Sequence, residues 1–597
     1  MERIFSAVFL FLLLLTPSLH AGNQPSAYVN RIPPKLLPAD EASREQLRVA
    51  AARAAKFRNA SFVYTLRKTS FQLHDDLSCT VTSSDTIYVR HPSFTINVLP
   101  SRQLDKARVI LPDGRRFETS ARALPKLSAG TLLTLHGSFR TSAPKILPFQ
   151  QIIYDLQQSG PVARFEIDFS DRFRHKFYHA PAPLIQSRRE NGGRITYAWD
   201  GAVPARIPCA NEAFPRSSRM RLVLTTLPSW NELRQWVREM MRPEEKLDES
   251  GKKLLRKLVE GASDKTGQVR RIYEFLSKLR YLTVPVGEAK FRPQPISSML
   301  RNGYGDCKDK SNALYVFCRE LGIPAERVLV NSGGQVDPAF PSWQFNHMIV
   351  RIPELPGYPD GLWLDPADGQ TPFGELSAGT LDTEGLVLSG PVLFRRVEVS
   401  DPEKIHSRIE ENMKIDSAGN VVLRIQLNGF FASRFRMFLN RSGPRLRNET
   451  EALLDSLLPG AEMKFFQFQS ATSSCEFRAR LPLSGVLPQM TVSRELVNPF
   501  IPASIPRPVR LYDGHRVTYS RQVTVEGCIF RDFFWRIQRE RYFAELKIKG
   551  NRIDYSFGLL RCSDNQIPPL VYKEIRSALS QLRLRLNSIR ESVSEQR

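Results

Sequence analysis

The hydrophobic periodicity changes twice along these 597 residues, and each change divides the chain. From Ser61 to about residue 226, apolar side chains alternate with their neighbours, as at Phe62, Tyr64 and Leu66 and again at Thr86, Tyr88 and Arg90. A period of two belongs to half-buried strands. Pro112-Asp113-Gly114 and Asn191-Gly192-Gly193 supply turns between them. Pro228-Ser229-Trp230 then opens a helical stretch, with Ser229 as its N-cap and Glu232 three residues on. Residues 244–280 read as continued helix, with Ile272, Phe275, Leu276 and Leu279 on one face. Residues 291–310 read as a loop running into a second helix, on which Leu314, Phe317, Cys318 and Leu321 repeat the helical spacing. Strand candidates follow at 328–330, 347–350 and 362–365.

From about residue 410 the alternation returns, with Ser417-Ala418-Gly419-Asn420 as a turn. A helix is expected over 447–458, strands to about 560, and a basic helix from Leu570 on. That last helix lines up Val571, Ile575, Leu579, Leu582 and Leu586. The chain is too long for one hydrophobic core. The expected fold is a multidomain α+β protein: an arm and helix over 22–59, an antiparallel β domain over 60–228, an α+β core over 229–385, a second β domain over 386–565 and the helix 566–597. No internal repeat is visible in the sequence.

Residues 1–21 read as a secretory signal peptide. Arg3 precedes the apolar run Ile4–Leu15, which is short for a membrane span, and Ala21 offers a cleavage site. The alternative is an uncleaved anchor. With cleavage, no transmembrane segment remains and the protein is expected in the periplasm or secreted. Seven cysteines in so long a chain do not form a disulfide scaffold, and their odd number leaves at least one thiol free. In an oxidising compartment a free thiol needs a reason. The formal charge of +24 suits attraction to anionic cell-envelope surfaces or a solvated basic face. Nucleic acid is not expected, because the arginines are scattered and the signal directs the chain away from it.

The segment Gly303-Tyr304-Gly305-Asp306-Cys307-Lys308-Asp309-Lys310 gives one thiol such a reason. The glycines permit a tight entry into a helix, Asp306 can cap it, and Cys307 falls in the first turn. Backbone N–H groups there favour a thiolate and can hold an oxyanion. Cys318, on an apolar helix face, reads instead as a buried structural residue. His347 begins an apolar strand, where an imidazole needs a hydrogen-bond partner. Asp365 ends the next strand and would lie beside it if the two are antiparallel neighbours. Taken singly, a strand histidine is more often structural and an Asp before Pro is often a turn residue. Together Cys307, His347 and Asp365 form an acyl-transfer triad in which Cys307 is the nucleophile, His347 the base and Asp365 its orienter. Asp306, Asp309 and Asp368 suggest a cation site less readily than caps and turns. His175 and His179 are four residues apart in a strand-like region and suggest no metal. No cofactor is expected, since no HExxH, P-loop or dinucleotide fingerprint occurs.

The stretch GYGDCKDKSNALYVFCRELGIPAERVLV, then FNHMIV and LWLDPADG, resembles the bacterial transglutaminase-like superfamily. The closer resemblance is to its exported branch, which carries a β-rich N-terminal domain of unknown function. Tyr197-Ala198-Trp199-Asp200 supports the N-terminal match, and NGFFASRFRMFLN (428–440) resembles the family's C-terminal β domain. The resemblance implies a papain-like core over 244–380, flanked by sandwich-like β domains. It maps Cys307, His347 and Asp365 onto the family's three site positions. Ser311 stands where Ala is common, and Ala367 where Thr is common. A side-chain oxyanion donor is not identified; Gln294 is upstream of the nucleophile and is a candidate. The expected activity is acyl transfer or amide hydrolysis on protein or peptide substrates. A peptidase of the same fold and a non-catalytic envelope scaffold are the competing expectations.

Overall fold

The structure, a computed structural model, describes residues 35–594 except 92–103, 121–123, 157–159, 179–186, 204–219, 284–290, 370, 378–379, 382, 399–405, 430, 433–434, 437, 440–444, 459, 470–472, 482–515, 561–566 and 568. The expected signal peptide therefore lies outside the described residues, as do His179, Cys209 and Cys562. No helix among the described residues is long and apolar enough to cross a membrane.

Helix α1 (Glu41–Ala54) begins at Asp40, whose side chain accepts the Ser43 N–H. The strands that follow are β1 (Phe62–Leu73), β2 (Cys79–Val89), β3 (Leu104–Ile110), β4 (Arg116–Thr119), β5 (Leu132–Thr141), β6 (Gln151–Asp155), β7 (Val162–Ser170), β8 (Arg174–Tyr178), β9 (Ser187–Asn191), β10 (Arg194–Val203) and β11 (Arg221–Thr225). Eight of them form one sheet in the order β4-β3-β5-β2-β1-β7-β10-β9. The other three, in the order β6-β11-β8, pack on it through Ile152, Tyr154, Leu222 and Leu224. A bulge between Tyr64 and Leu66 shifts the register of β1 against β2. Beyond it the inward positions are Arg67, Thr69, Phe71 and Leu73, so Leu66 is only partly buried.

The central body begins with α2 (Trp230–Met241), capped by Ser229. The helix expected over 244–280 is two helices, α3 (Glu249–Val259) and α4 (Lys265–Lys278). The break has a local cause: Gly261 takes φ +72, and Asp248 and Asp264 each cap a new helix start. Strand β12 (Arg280–Tyr281) follows. The expected loop over 291–310 contains a short helix, α5 (Ile296–Asn302), that ends at Gly303 with φ +71. Strand β13 (Tyr304–Gly305) then leads into α6 (Cys307–Glu320). Strands β14 (Glu326–Val330), β15 (His347–Ile352), β16 (Leu362–Leu364), β17 (Glu384–Val387) and β18 (Phe394–Arg396) form an antiparallel sheet ordered β16-β15-β14-β17-β18. Helices α4 and α6 pack on it through Ile272, Leu276, Leu314 and Phe317.

The last body holds β19 (Ser407–Ile415), β20 (Asn420–Asn428), α7 (Leu446–Leu457), β21 (Glu462–Gln469), β22 (Ser474–Arg480), β23 (Val517–Val525), β24 (Phe533–Gln538), β25 (Tyr542–Lys549), β26 (Arg552–Leu559) and α8 (Pro569–Ser594). Its sheet runs β21-β22-β20-β19-β23-β26-β25-β24. Helix α8 lays Ile575, Leu579, Leu582 and Leu586 into the core of that sheet.

The two large sheets share a plan that the sequence does not repeat. From β3 to β9 in the first, and from β21 to β25 in the second, strand order and direction correspond. Each has one parallel contact at its centre, β1 with β7 and β19 with β23. Each also buries an arginine against a carboxylate directly across the ladder: Arg67 opposite Asp85, and Arg521 opposite Glu411.

Candidate active site

The nucleophile candidate is delivered by a chain of local constraints. Gly303 turns the chain in the left-handed region, where a side chain is strained. At Gly305 an added Cβ would lie 3.0 Å from both the Asp309 Cβ and the Met299 Sδ, so any larger residue would have to push them aside. Asp306 caps α6, its Oδ1 accepting the N–H groups of Lys308 (3.1 Å) and Asp309 (3.3 Å). Asp309 completes the capping box by accepting the Asp306 N–H at 3.0 Å. Two of the first three helix N–H groups are thus used in capping, and the third belongs to Cys307 itself. Lys308 is buried and pairs with Asp306, so the basic residue beside the thiol is not a surface charge. Burial and the nearby Asp309 charge raise the Asp306 carboxyl, and Lys308 opposes them.

His347 and Asp365 are brought together by strand register. Strands β15 and β16 are antiparallel neighbours, with Val350 opposite Leu364. One step further on, residue 365 falls opposite residue 349, on the face that also carries residue 347. Asp365 Oδ2 stands 2.7 Å from His347 Nε2, and its Oδ1 accepts the Ala367 N–H at 3.0 Å. The other ring nitrogen is left for Cys307, which lies close enough to the imidazole to act on it. Burial works against the imidazolium. The Asp365 carboxylate and Cys307 outweigh it and hold His347 well above the usual histidine range. Ser311 ties the two halves of the site, its hydroxyl donating to the Met348 carbonyl at 2.9 Å. The position where alanine is common in the resembled family thus bears a contact here.

One further side chain beside Cys307 was not foreseen in the sequence. The Tyr281 hydroxyl lies beside the Cys307 and Thr283 side chains, which both act on it. It is held there by a short parallel ladder in which Tyr281 is the partner of Gly305, and the Leu282 N–H donates to the Gly305 carbonyl. Burial and the Cys307 charge push its hydroxyl far up, so it keeps its proton, while the residue as a whole is 37% exposed. Gln294, the upstream candidate, is not free for a substrate. Its Nε2 donates to the Tyr304 carbonyl and to Asp309, both at 3.0 Å. Nothing in the pattern around Tyr281 distinguishes it from a strand-forming aromatic; only its pairing with Gly305 does.

Lys310, one turn beyond Cys307, is 1% exposed and donates to the Leu279 (2.6 Å) and Ser277 carbonyls at the end of α4. Burial pulls its ammonium down to about 8, against the Asp365 and Asp368 charges. An unfolded lysine keeps its proton to about pH 10.4. Between those values the unfolded chain binds more protons, so this group's contribution to stability rises with pH. Wild type is expected to gain roughly 3 kcal/mol over Lys310→Met between about pH 7.5 and 10.5. Paired denaturant titrations at the two pH values measure that gain, and an unchanged difference would contradict the burial of a charged Lys310.

The remaining acidic residues behave as caps and turns. Asp368 accepts the Thr371 hydroxyl at 2.6 Å, and no metal-like cluster occurs among the described residues. His175 bonds to the Tyr197 hydroxyl at 2.9 Å. Cys79, Cys318 and Cys475 are buried thiols pushed up to about 12 by burial. Cys307 and Cys528 are the partly exposed ones among the described residues.

Residues 252–352 match the family model of the transglutaminase-like superfamily core, a span that holds Cys307 and His347 and stops before Asp365. No curated protein matches the chain. Among solved structures, a candidate protease from Parabacteroides distasonis is 16% identical with a TM-score of 0.49, over 87% of this chain and 97% of that one. A candidate cysteine protease from Cytophaga hutchinsonii is 12% identical with a TM-score of 0.17, over 37% and 75% of the two chains. An M1 zinc metallopeptidase from Deinococcus radiodurans is 11% identical with a TM-score of 0.16, over 28% and 42%. The chain therefore carries a transglutaminase-like core over residues 252–352, behind a β-rich N-terminal region.

Proposed function

We propose that this protein is an exported, periplasmic or secreted transglutaminase-like enzyme that acts on protein or peptide amides through a thioester on Cys307. The observation that carries the reading is that one imidazole, His347, is hydrogen-bonded to Asp365 and lies beside Cys307. In the proposed cycle the Cys307 thiolate attacks the amide carbon, forming a C–S bond and an oxyanion. In this reading the Cys307 N–H and the Tyr281 hydroxyl donate to that oxyanion. The His347 imidazolium gives its proton to the leaving nitrogen as the C–N bond breaks. An amine or a water then loses a proton to His347 and attacks the thioester, which returns the thiolate. Asp365 keeps the ring oriented and the imidazolium stabilised throughout. The net charge of +24 supports attraction of the exported protein to an anionic envelope surface.

The test incubates wild type and Cys307→Ala with a mixed protein extract and a biotinylated primary amine, followed by mass spectrometry. Cys307-dependent amine incorporation at glutamine would support acyl transfer. New termini without incorporation would make the protein a peptidase of the same fold, and deamidation alone an amidohydrolase. Identical products from the two proteins would leave only a binding scaffold and sink the enzymatic reading.

A further inference from the structure

His347 is preceded by a loop of sixteen residues, Asn331–Asn346, between β14 and β15. Much of what grips this loop comes from the N-terminal β domain. Gln151, at the start of β6, makes a two-way amide pair with the Trp343 backbone. Its Nε2 donates to the Trp343 carbonyl at 2.9 Å, and its Oε1 accepts the Trp343 N–H at 2.6 Å. On β8, the Lys176 ammonium and the Tyr178 hydroxyl (2.8 Å) both donate to Asp337 Oδ2. Tyr178 also packs edge-on against Phe340. Strands β6 and β8 are the two outer strands of the three-stranded sheet, so the loop is held at both of its edges. From the core side, the Trp230 indole N–H donates to the Pro338 carbonyl at 2.6 Å. Within the loop, Gln344 accepts the Asp337 N–H at 2.7 Å and donates to the Phe340 carbonyl at 2.8 Å, which makes the held segment one stiff unit. Trp343 lies four residues before His347.

A freestanding domain would not be expected to spend a complementary side-chain amide on the backbone of a neighbouring catalytic loop. Backbone capture of this kind fixes a segment's position without reading its side chains. We propose that the N-terminal β domain is a positioning part of the active site: Gln151, with Lys176 and Tyr178, holds the loop 331–346 so that His347 stays against Cys307. These are positioning residues, since none of them touches the thiol. The proposal rests on the reading of Cys307 as the nucleophile and His347 as its partner. It implies that the core needs this domain to keep His347 against Cys307, and that a ligand shifting β6 or β8 would change the reactivity of the thiol.

The test uses the full-length chain and no substrate. Alkylation of Cys307 by iodoacetamide is followed by mass spectrometry from about pH 5 to pH 10 in wild type, Gln151→Ala, Asp337→Asn and, as a control, Arg164→Ala. Arg164 pairs with Asp200 and Glu166 on the large N-terminal sheet. If His347 drifts, less of the thiol is ionised near neutrality, but the intrinsic reactivity of the thiolate is unchanged. Gln151→Ala is therefore expected to alkylate about fivefold to tenfold more slowly at pH 7 and to regain the wild-type rate above about pH 9.5. Asp337→Asn should move the profile in the same direction by less, and Arg164→Ala should not move it. Hydrogen exchange across 331–346 reports whether the loop has loosened and keeps the outcome readable if Gln151→Ala is unstable. A loosened loop with an unshifted profile would overturn the proposal. So would a rate lowered equally at every pH, which marks general damage. A wild-type Cys307 no faster than Cys528 would instead defeat the nucleophile assignment, whatever the variants do.

Discussion

His347→Ala is expected to lower amide turnover by roughly 10²–10⁴-fold while leaving the protein folded. In the proposed cycle the ring protonates the leaving nitrogen and deprotonates the acceptor, and no neighbour can take over either role. Its Nε2 is committed to Asp365 at 2.7 Å, so the ring is fixed for proton transfer on the Cys307 side. Asp365→Asn tests the same chain one step back. The amide retains the shape, but the charge that holds His347 protonated is gone, and turnover near neutrality should fall steeply. The measurement is amine incorporation per enzyme in the assay proposed above, with circular dichroism confirming the fold. A His347→Ala enzyme within a few-fold of wild type would mean that the imidazole has no part in the chemistry.

Glu411→Ala should be the most damaging single change to stability. Glu411 on β19 and Arg521 on β23 face each other across a parallel ladder, and Tyr519 donates to the same carboxylate oxygen at 3.0 Å. The Arg521 side chain is 1% exposed, and its Nη2 has no hydrogen-bond partner, so Glu411 is its main source of compensation. Removing the carboxylate leaves a charge in a core built of Met413, Leu423, Val523 and Phe557, at a cost of about 3–5 kcal/mol. Exchanging both partners for apolar residues, Glu411→Leu with Arg521→Met, should cost far less, because no charge is then stranded. Hydrogen exchange of β19 and β23 in the full chain measures this directly. The single variant should open on the order of 10²–10³ times more readily, and the double variant much less so. Equal losses in the two would show that volume, not charge, sets the stability there.

The contrast between these two sites shows what the sequence made legible. The segment around Cys307 was readable because local rules act there. Two glycines, a capping aspartate and a cysteine in the first turn each announce themselves within five residues. The antiparallel neighbourhood of β15 and β16 needed only two short apolar runs joined by a turn. Arg521 and Arg67 were not readable, since alternation treats a charge as outward and neither strand carries a local sign that one is inward. The bulge near Tyr64 had the same effect on β1, where it moved Leu66 off the face that the alternation had assigned. The division of 244–280 into two helices was written in Gly261, Asp248 and Asp264, but the apolar face carried by Ile272 and Leu276 outweighed those signs. Tyr281, Gln151 and Lys310 act through partners 26, 192 and 31 residues distant respectively; such pairings come from the folded arrangement and leave no spacing to read. The shared plan of the two large sheets is equally silent, because strand order constrains only which faces are apolar, and many sequences satisfy that.

The central claim is that Cys307 is an activated thiol and not simply an exposed one, and the protein carries its own control. Cys528 is also partly exposed, but it lies in the connection after β23, outside any helix start of the kind that holds Cys307. A time course of iodoacetamide labelling at neutral pH, resolved by peptide, compares the two in one sample. Cys307 is expected to label at least about tenfold faster than Cys528, and that advantage should disappear in His347→Ala. Equal rates in wild type, or an advantage that survives loss of the imidazole, would contradict the assignment of Cys307 and His347 as a working pair.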